Sequence, residues 1–105
     1  MSRTSDYEPE KIYWSIGEIA KELHCSQSSI RYWLDLYGIQ IHRTRLGDRS
    51  FSLQDRELMH EIHRLLKDEG YTRRGAHRQL LKSNKWKIRV CSAMQEPDFD
   101  EVLYV

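Results

Sequence analysis

Two apolar stripes begin in the stretch SIGEIAKELHCSQSSIRYW, residues 15–33, and only a brief polar break separates them. Each stripe repeats with 3-1-3 spacing, which places its members on one face of a helix. The stripes contain Ile16, Ile19, Ala20 and Leu23, and then Ile30, Trp33, Leu34 and Tyr37. Two short helices joined by so tight a turn make a poor core alone, so the rest of the chain must pack around them.

The ends of these two helices are marked by capping residues. Ser15 followed by Glu18 fits a capping box, which predicts that the first helix begins at Ile16. Ser26 can cap the second helix, and Gly38 can end it. With the second stripe turned inward, the residues left towards solvent are Gln27, Ser28, Arg31, Tyr32 and Asp35. This is the helix-turn-helix pattern, in which the outer face of the second helix meets a DNA groove.

The outer face carries the first candidate binding residues. Arg31 can fork onto guanine or pair with phosphate, and the hydroxyl of Tyr32 usually reaches phosphate. Gln27 and Ser28, at the helix start, can read base edges or merely cap the helix. The structural alternative for Arg31 is a surface side chain that packs along a tyrosine.

The next segment, residues 39–51, predicts a basic β-hairpin. Its first arm places Ile39, Ile41, Arg43 and Arg45 on one side of a strand. Gly47-Asp48 is a turn signal, and Arg49 to Phe51 would return. A basic hairpin after a helix-turn-helix is typical of a wing. Its arginines Arg43, Arg45 and Arg49 are candidates for DNA backbone or minor-groove contacts, or they are simply solvated.

Two further helices follow the hairpin. Ser52 with Asp55 predicts the start of the third helix, and Glu69-Gly70 predicts its end. Thr72 can cap the fourth. The predicted core positions are Leu58, Ile62, Leu65, Leu66, Ala76, Leu80 and Leu81. Arg73 and Arg74 face outward and are candidates for phosphate contacts.

The two ends of the chain differ from its middle. Residues 1–11 are polar without a period and predict a disordered arm, which leaves residues 12–83 as the main domain and 84–105 as an extension. Lys85 to Val90 alternates strictly, which predicts a strand with Trp86, Ile88 and Val90 on one face. That strand could pair with Val102–Val105 of the same chain or with its equivalent in a second chain, which would make a homodimer.

The net charge of +1 conceals a strong pattern along the chain. Residues 1–30 carry a net charge of −2, residues 31–90 carry +7, and residues 91–105 carry −4. A basic centre suits a polyanion such as nucleic acid, although a solvated helix surface would also produce it.

Other function classes find little support in the sequence. No apolar run approaches the length of a membrane span, and two cysteines, Cys25 and Cys91, form no disulfide framework. His24, His60 and His63 lack the converging ligands and paired cysteines of zinc sites, so we expect no metal and no cofactor. No nucleophile–base grouping or phosphate-cradling glycine loop is present, so we expect no enzyme.

Four segments occur in the order of a known family: YWSIGEIAKEL, SQSSIRYW, RTRLGDRSFS and LLKDEGYTRRGAHRQL. Together they resemble the DNA-binding domain of MerR-family transcription regulators from about Ile12 to Leu81. The resemblance implies a mainly α, winged helix-turn-helix fold with a second wing formed by the third and fourth helices. It implies DNA contacts by Arg31, Tyr32, Arg49 and the region from Tyr71 to Arg74.

The resemblance also implies a function. We expect a bacterial, cytoplasmic, nucleoid-associated regulator that binds double-stranded DNA and acts with RNA polymerase at a promoter. No heptad pattern follows the fourth helix, so we expect a regulator without the long dimer helix and the sensing domain that such regulators usually carry there. An architectural or excisionase-like factor that bends DNA is the alternative.

Overall fold

The computed structural model describes residues 12–95, so the predicted arm (1–11) and the acidic tail with Val102–Val105 lie outside the described residues. The described part forms four helices and a three-stranded antiparallel sheet. Its elements are β1 (Tyr13–Ser15), α1 (Ile16–Leu23), α2 (Gln27–Tyr37), β2 (His42–Arg43), β3 (Arg49–Ser52), α3 (Leu53–His63) and α4 (Arg73–Lys82). The predicted fold, mainly α with a winged helix-turn-helix, is confirmed.

The helices begin where their capping residues predict. Ser15 Oγ accepts from the Glu18 N–H at 3.1 Å, while Glu18 Oε1 accepts from the Ser15 N–H at 2.9 Å. Ser52 and Asp55 form a second reciprocal box at the start of α3. Ser26 caps α2 through the Ser29 N–H at 3.1 Å, and Thr72 caps α4 in the same manner. Each cap satisfies backbone donors that the first helical turn leaves without partners.

The turn between α1 and α2 begins at His24, within the polar break between the two apolar stripes. His24 ends α1 in the left-handed conformation, with φ of 55°. Its N–H and that of Cys25 donate back to the carbonyl of Ala20, which closes the helix. At the end of α2, Gly38 has φ of 64°, and the Ile39 N–H donates to the Leu34 carbonyl at 2.9 Å. After this hydrogen bond ends α2, the chain continues into the hairpin.

The sheet differs from the predicted hairpin in two respects. The first arm is extended only at His42–Arg43, because Ile39 is tied to the end of α2 and buried in the core. The second difference is β1, a third strand that pairs Trp14 with Phe51 and Tyr13 with Ser52. The strand order is therefore β1-β3-β2, with the returning arm of the wing in the centre. This arrangement anchors the wing to the start of α1.

The core lies between the four helices and the central strand. The second apolar stripe is buried as predicted, and Leu36 is buried with it. In the first stripe Ile16 is only partly buried. The largest fully buried side chains are Tyr37, Phe51, Ile19, Ile30, Leu36, Leu58, Met59, Ile62 and Leu80. Four helices thus supply the core that two could not.

The predicted strand at Lys85–Val90 is wrong. Residues 84–89 form consecutive turns, because the Trp86 and Lys87 N–H groups both donate to the Ser83 carbonyl. Trp86 and Val90 are buried, whereas Ile88 is 81% exposed. The two buried apolar residues are therefore four positions apart, and the alternation in the sequence does not correspond to a buried strand face. A homodimer built by pairing this strand has no strand to use.

Residues 91–95 pack onto the end of α2. The Cys91 N–H donates to the Tyr37 carbonyl at 2.9 Å, and the Gln95 N–H donates to the Leu36 carbonyl at 2.7 Å. On the side of α4, His77 Nε2 donates to the Cys91 carbonyl at 2.8 Å. The segment thus supplies donors to carbonyls in the last turn of α2 that the helix itself cannot satisfy. Within residues 12–95, the chain after α4 folds back onto the domain.

Candidate nucleic-acid interface

The outer face of α2 carries the polar residues that the sequence predicts there. Gln27 and Ser28 are exposed, and Arg31 and Tyr32 are partly exposed. The Arg31 guanidinium lies 3.5 Å from Ser28 Oγ, one helical turn earlier. The amide of Gln27 lies beside Gly17 of α1, so closely that a Cβ at Gly17 would be 3.2 Å from its Nε2. Ser28 and Arg31 are thus neighbours on α2, while the Gln27 side chain extends towards α1.

The wing places two arginines directly opposite each other. Arg43 of β2 and Arg49 of β3 are paired across the strands. Partial burial lowers the pKa of Arg49, the positive charges of Arg43 and Arg31 lower it further, and Asp35 opposes them. Like charges at opposed positions destabilise a strand pair. Three cations from the wing and α2 therefore act on one another, with one carboxylate among them.

The third wing arginine occupies a different position. Arg45 is exposed at the tip of the hairpin, one residue beyond Thr44, whose N–H donates to the Asp48 carbonyl at 2.8 Å. Arg43 reaches towards the same tip, since its guanidinium donates to the Gly47 carbonyl at 3.0 Å. The wing thus presents basic side chains both along its strands and at its end.

The second wing brings Arg73 to Tyr32. The Arg73 guanidinium lies 5.8 Å from the centroid of the Tyr32 ring, within range of a cation–π contact. A groove of about 260 Å³ runs beside them and is lined by Ser28, Ser29, Tyr32, Trp33, Leu66, Lys67 and Arg73. This groove joins the start of α2 to the start of α4. Serine and tyrosine hydroxyls, the Lys67 ammonium and the Arg73 guanidinium thus line one depression.

Lys67 in this groove is a residue that sequence reasoning did not single out. It follows Leu65 and Leu66 of the predicted core face, and its position in the sequence gives no sign of a role. After His63 the helix widens into one π-helical turn, Arg64–Asp68, in which the direction of the side chains differs from that in a regular α-helix. No signal in the sequence marks this turn.

Arg74 lies apart from Arg73. It lines a separate cavity of about 290 Å³ together with Arg78, His77 and Ser92 to Met94. Adjacent helical positions point about 100° apart, so one helix start serves two surfaces. The structure thus brings Arg73 to the groove beside α2 and places Arg74 against residues 92–94.

His60 and His63 make contacts within the fold, and Cys25 is partly buried. His60 contacts Glu22 Oε1 at 2.9 Å, and the His63 ring meets the Trp33 ring edge-on at 6.4 Å. Burial raises the pKa of the Cys25 thiol, which keeps it protonated. Among residues 12–95, no three His, Cys, Asp or Glu side chains converge to hold a metal.

None of the helices in residues 12–95 is both long and apolar enough to cross a membrane. A search among curated proteins found no match to the chain. A family model described as the MerR HTH family regulatory protein matches residues 14–82. That range begins in β1 and ends with α4, so it includes the helix-turn-helix, the hairpin and the second wing. The chain belongs to the MerR helix-turn-helix family, whose members are DNA-binding transcription regulators.

Proposed function

We propose that this protein is a sequence-specific regulator that binds duplex DNA through α2, the hairpin wing and the start of α4. The observation that carries the proposal is the cross-strand pair Arg43 and Arg49, with Arg31 acting on the same group. Repulsion among these cations costs stability in the free protein, and an anion bound between them would relieve it. DNA phosphates supply that anion in a continuous row.

Each part of the surface has a distinct role in the proposal. The exposed start of α2 enters the major groove, where Arg31 reads a base edge and Gln27 and Ser28 reach neighbouring bases. Tyr32 and Arg73, in contact with each other, hold one phosphate.

The remaining cations bind the DNA backbone outside the reading helix. Arg43, Arg45 and Arg49 bind the DNA backbone beside the minor groove. Arg74, which follows Arg73 at the start of α4, contacts another phosphate. Lys67 lines the groove beside Arg73 and joins this set. These contacts fix the protein on the duplex but discriminate little among sequences.

We further propose that the protein acts at promoters in the cytoplasm, where RNA polymerase is its functional partner. Two copies on adjacent half-sites would place two α2 helices in successive major grooves. Strand pairing by Lys85–Val90 does not join the two copies, because residues 84–89 form turns. Light scattering of the full chain, alone and with a two-site duplex, tests whether dimerisation requires DNA.

Selection from random duplexes, followed by fluorescence anisotropy, tests the central proposal. We expect a selected duplex to bind at least about 1,000-fold more tightly than an unrelated one, the lower end of specific recognition. The logarithm of the association constant should fall linearly with the logarithm of the salt concentration. Equal affinity for every duplex would contradict sequence-specific regulation and favour an architectural factor. No binding to any duplex would contradict the proposal altogether.

A further inference from the structure

The tip of the hairpin between β2 and β3 carries an apolar side chain almost entirely in water. Leu46 is 87% exposed, more than the other large apolar side chains of residues 12–95. Glycine, asparagine, aspartate and serine are the residues that tight turns favour, so the fold itself does not call for leucine at this position. Lone exposed leucines are common on protein surfaces, and the surroundings of Leu46 decide what this one can do.

The backbone of the tip is held firmly. The Gly47 N–H donates to the Thr44 carbonyl at 2.9 Å, and the Thr44 N–H donates to the Asp48 carbonyl at 2.8 Å. Thr44 Oγ1 also accepts from the Asp48 N–H at 3.2 Å. Gly47 has φ of 92°, which completes a turn whose two corner residues are Arg45 and Leu46. Leu46 is therefore presented on a braced hairpin rather than on a loose loop.

The charges around Leu46 select its partner. Arg43, Arg45 and Arg49 flank the tip, and Asp48 is the one acid in the hairpin. An apolar protein surface would have to desolvate these cations without compensation. The minor groove of DNA offers phosphates on both rims and, about 6 Å across, stacked base pairs at its floor. A single apolar side chain between cations matches this combination.

We propose that Leu46 is an apolar wedge that enters the minor groove and partly separates two stacked base pairs. The inference rests on the proposed function, since it needs the wing to lie on duplex DNA. Leucine is among the side chains that unstack base steps in this way and kink the duplex away from the inserted group. Pyrimidine–purine steps unstack most easily, so the wedge would add a preference for such a step without any hydrogen bond to a base.

The test uses the full chain and the duplex that the wild type selects. 2-Aminopurine, whose fluorescence rises on unstacking, is placed at successive positions under the wing, and end-labelled duplexes report the bend by energy transfer. We expect the wild type to raise the fluorescence at one step and to bend the duplex. Leu46→Ala should lose both signals and bind roughly 10-fold more weakly, the usual size for one lost base-pair contact. Leu46→Met, which is also long and apolar, should retain most of both signals.

Ile88→Ala is the matched control, because Ile88 is 81% exposed and lies outside the wing. It should behave as the wild type in every measurement. Selective binding with an unchanged bend and unchanged fluorescence in Leu46→Ala would overturn the wedge while leaving the proposed function intact. Weaker binding without a change in bend would also overturn it. If no duplex is preferred at all, the proposed function fails, and the wedge fails with it.

Discussion

The hydroxyl of Tyr37, at the end of α2, donates to the carbonyl of Arg73, at the start of α4, over 2.9 Å. Tyr37 is fully buried, and its ring stacks on His77 at 5.7 Å between centroids. The helix that reads DNA in our proposal and the helix that starts the second wing are thus joined by one side chain. This buried contact holds the start of the second wing against the end of α2.

Tyr37→Phe should lower the free energy of unfolding by about 1 kcal/mol, the net value of one hydrogen bond. The ring and its stacking on His77 remain, so the change isolates the hydroxyl. Urea unfolding followed by circular dichroism gives the measurement. Tyr13→Phe, at a side chain that is 52% exposed, is the control and should stay within about 0.5 kcal/mol of the wild type. Equal effects of the two changes would contradict a special role for the buried hydroxyl.

Gly38→Ala should be more damaging than Gly70→Ala. Both glycines have left-handed backbone, with φ of 64° and 74°. A Cβ on Gly38 would lie 2.9 Å from the Cβ of Cys91, and closer still to its sulfur, whereas a Cβ on Gly70 meets nothing within 4 Å. We expect a loss of about 1 kcal/mol at Gly70 from backbone strain alone and about 2–4 kcal/mol at Gly38. Denaturant midpoints that coincide would show that residues 91–95 do not pack on the end of α2.

Arg89→Met should destabilise the protein by roughly 3 kcal/mol, because it removes the partner of a buried carboxylate. Arg89 pairs with Asp55, which is 6% exposed, and it also donates to Gln54 at 3.2 Å. Lys85→Met is the matched control. Lys85 lies in the same segment as Arg89 and pairs with Glu57 of α3, and both side chains of this pair are largely exposed. That change should cost less than about 0.5 kcal/mol. Thermal unfolding of both variants gives the comparison.

His63 should make stability rise with pH across the range around its ordinary pKa. Burial against Trp33 lowers the pKa of His63, with Lys67, His60 and His24 acting in the same direction and Asp68 against them. The unfolded chain therefore binds more protons than the folded chain between the lowered pKa of folded His63 and the ordinary value near 6.5, so folding weakens as the pH falls through that interval.

His63→Gln removes the titrating group and should flatten the rise just below about pH 6.5. His42→Gln, at an exposed histidine of β2, makes the same exchange of imidazole for amide and is the control. Urea midpoints measured at several pH values give the slopes. A slope that survives in His63→Gln would assign the pH dependence to other groups.

Arg31→Ala and Arg49→Ala should weaken DNA binding in different ways. If Arg31 forks onto a base, its loss costs about 1–3 kcal/mol and relaxes the preference at one position of the selected site. Loss of Arg49 should weaken all duplexes similarly and reduce the slope of affinity against salt by about 1. Anisotropy titrations on single-base variants of the site separate the two patterns. An Arg31→Ala protein that folds and discriminates as well as the wild type would exclude Arg31 as a base-reading residue.

The residues that the sequence predicted correctly depend on local interactions. Ser15 and Glu18 meet within one turn, and Ser52 and Asp55 do the same, so three residues of spacing suffice to predict them. The outward face of α2 follows from the buried stripe for the same reason. The pairing of Tyr13 with Ser52 could not be read in this way, since the two residues are far apart in sequence and share no pattern.

The error at Lys85–Val90 has a physical cause of its own. Alternation predicts a strand only where a neighbouring strand offers partners, and Ser83 instead accepts two N–H groups from the same segment. Trp86 and Val90 then enter the core, and Ile88 is left in water. Similarly, the meeting of Tyr32 with Arg73 depends on how α4 packs, which no local pattern encodes.

The two carbonyls that accept from residues 91 and 95 have a thermodynamic consequence for binding. Because Leu36 and Tyr37 are tied to that segment, the last turn of α2 cannot fray unless residues 91–95 detach as well. Ordering a frayed backbone would cost about 1–2 kcal/mol per residue at the moment of contact. In the free protein this backbone is already ordered, so DNA binding does not carry that entropic cost. The heat-capacity change on binding DNA should therefore reflect the buried interface and any distortion of the duplex, without a contribution from folding of α2.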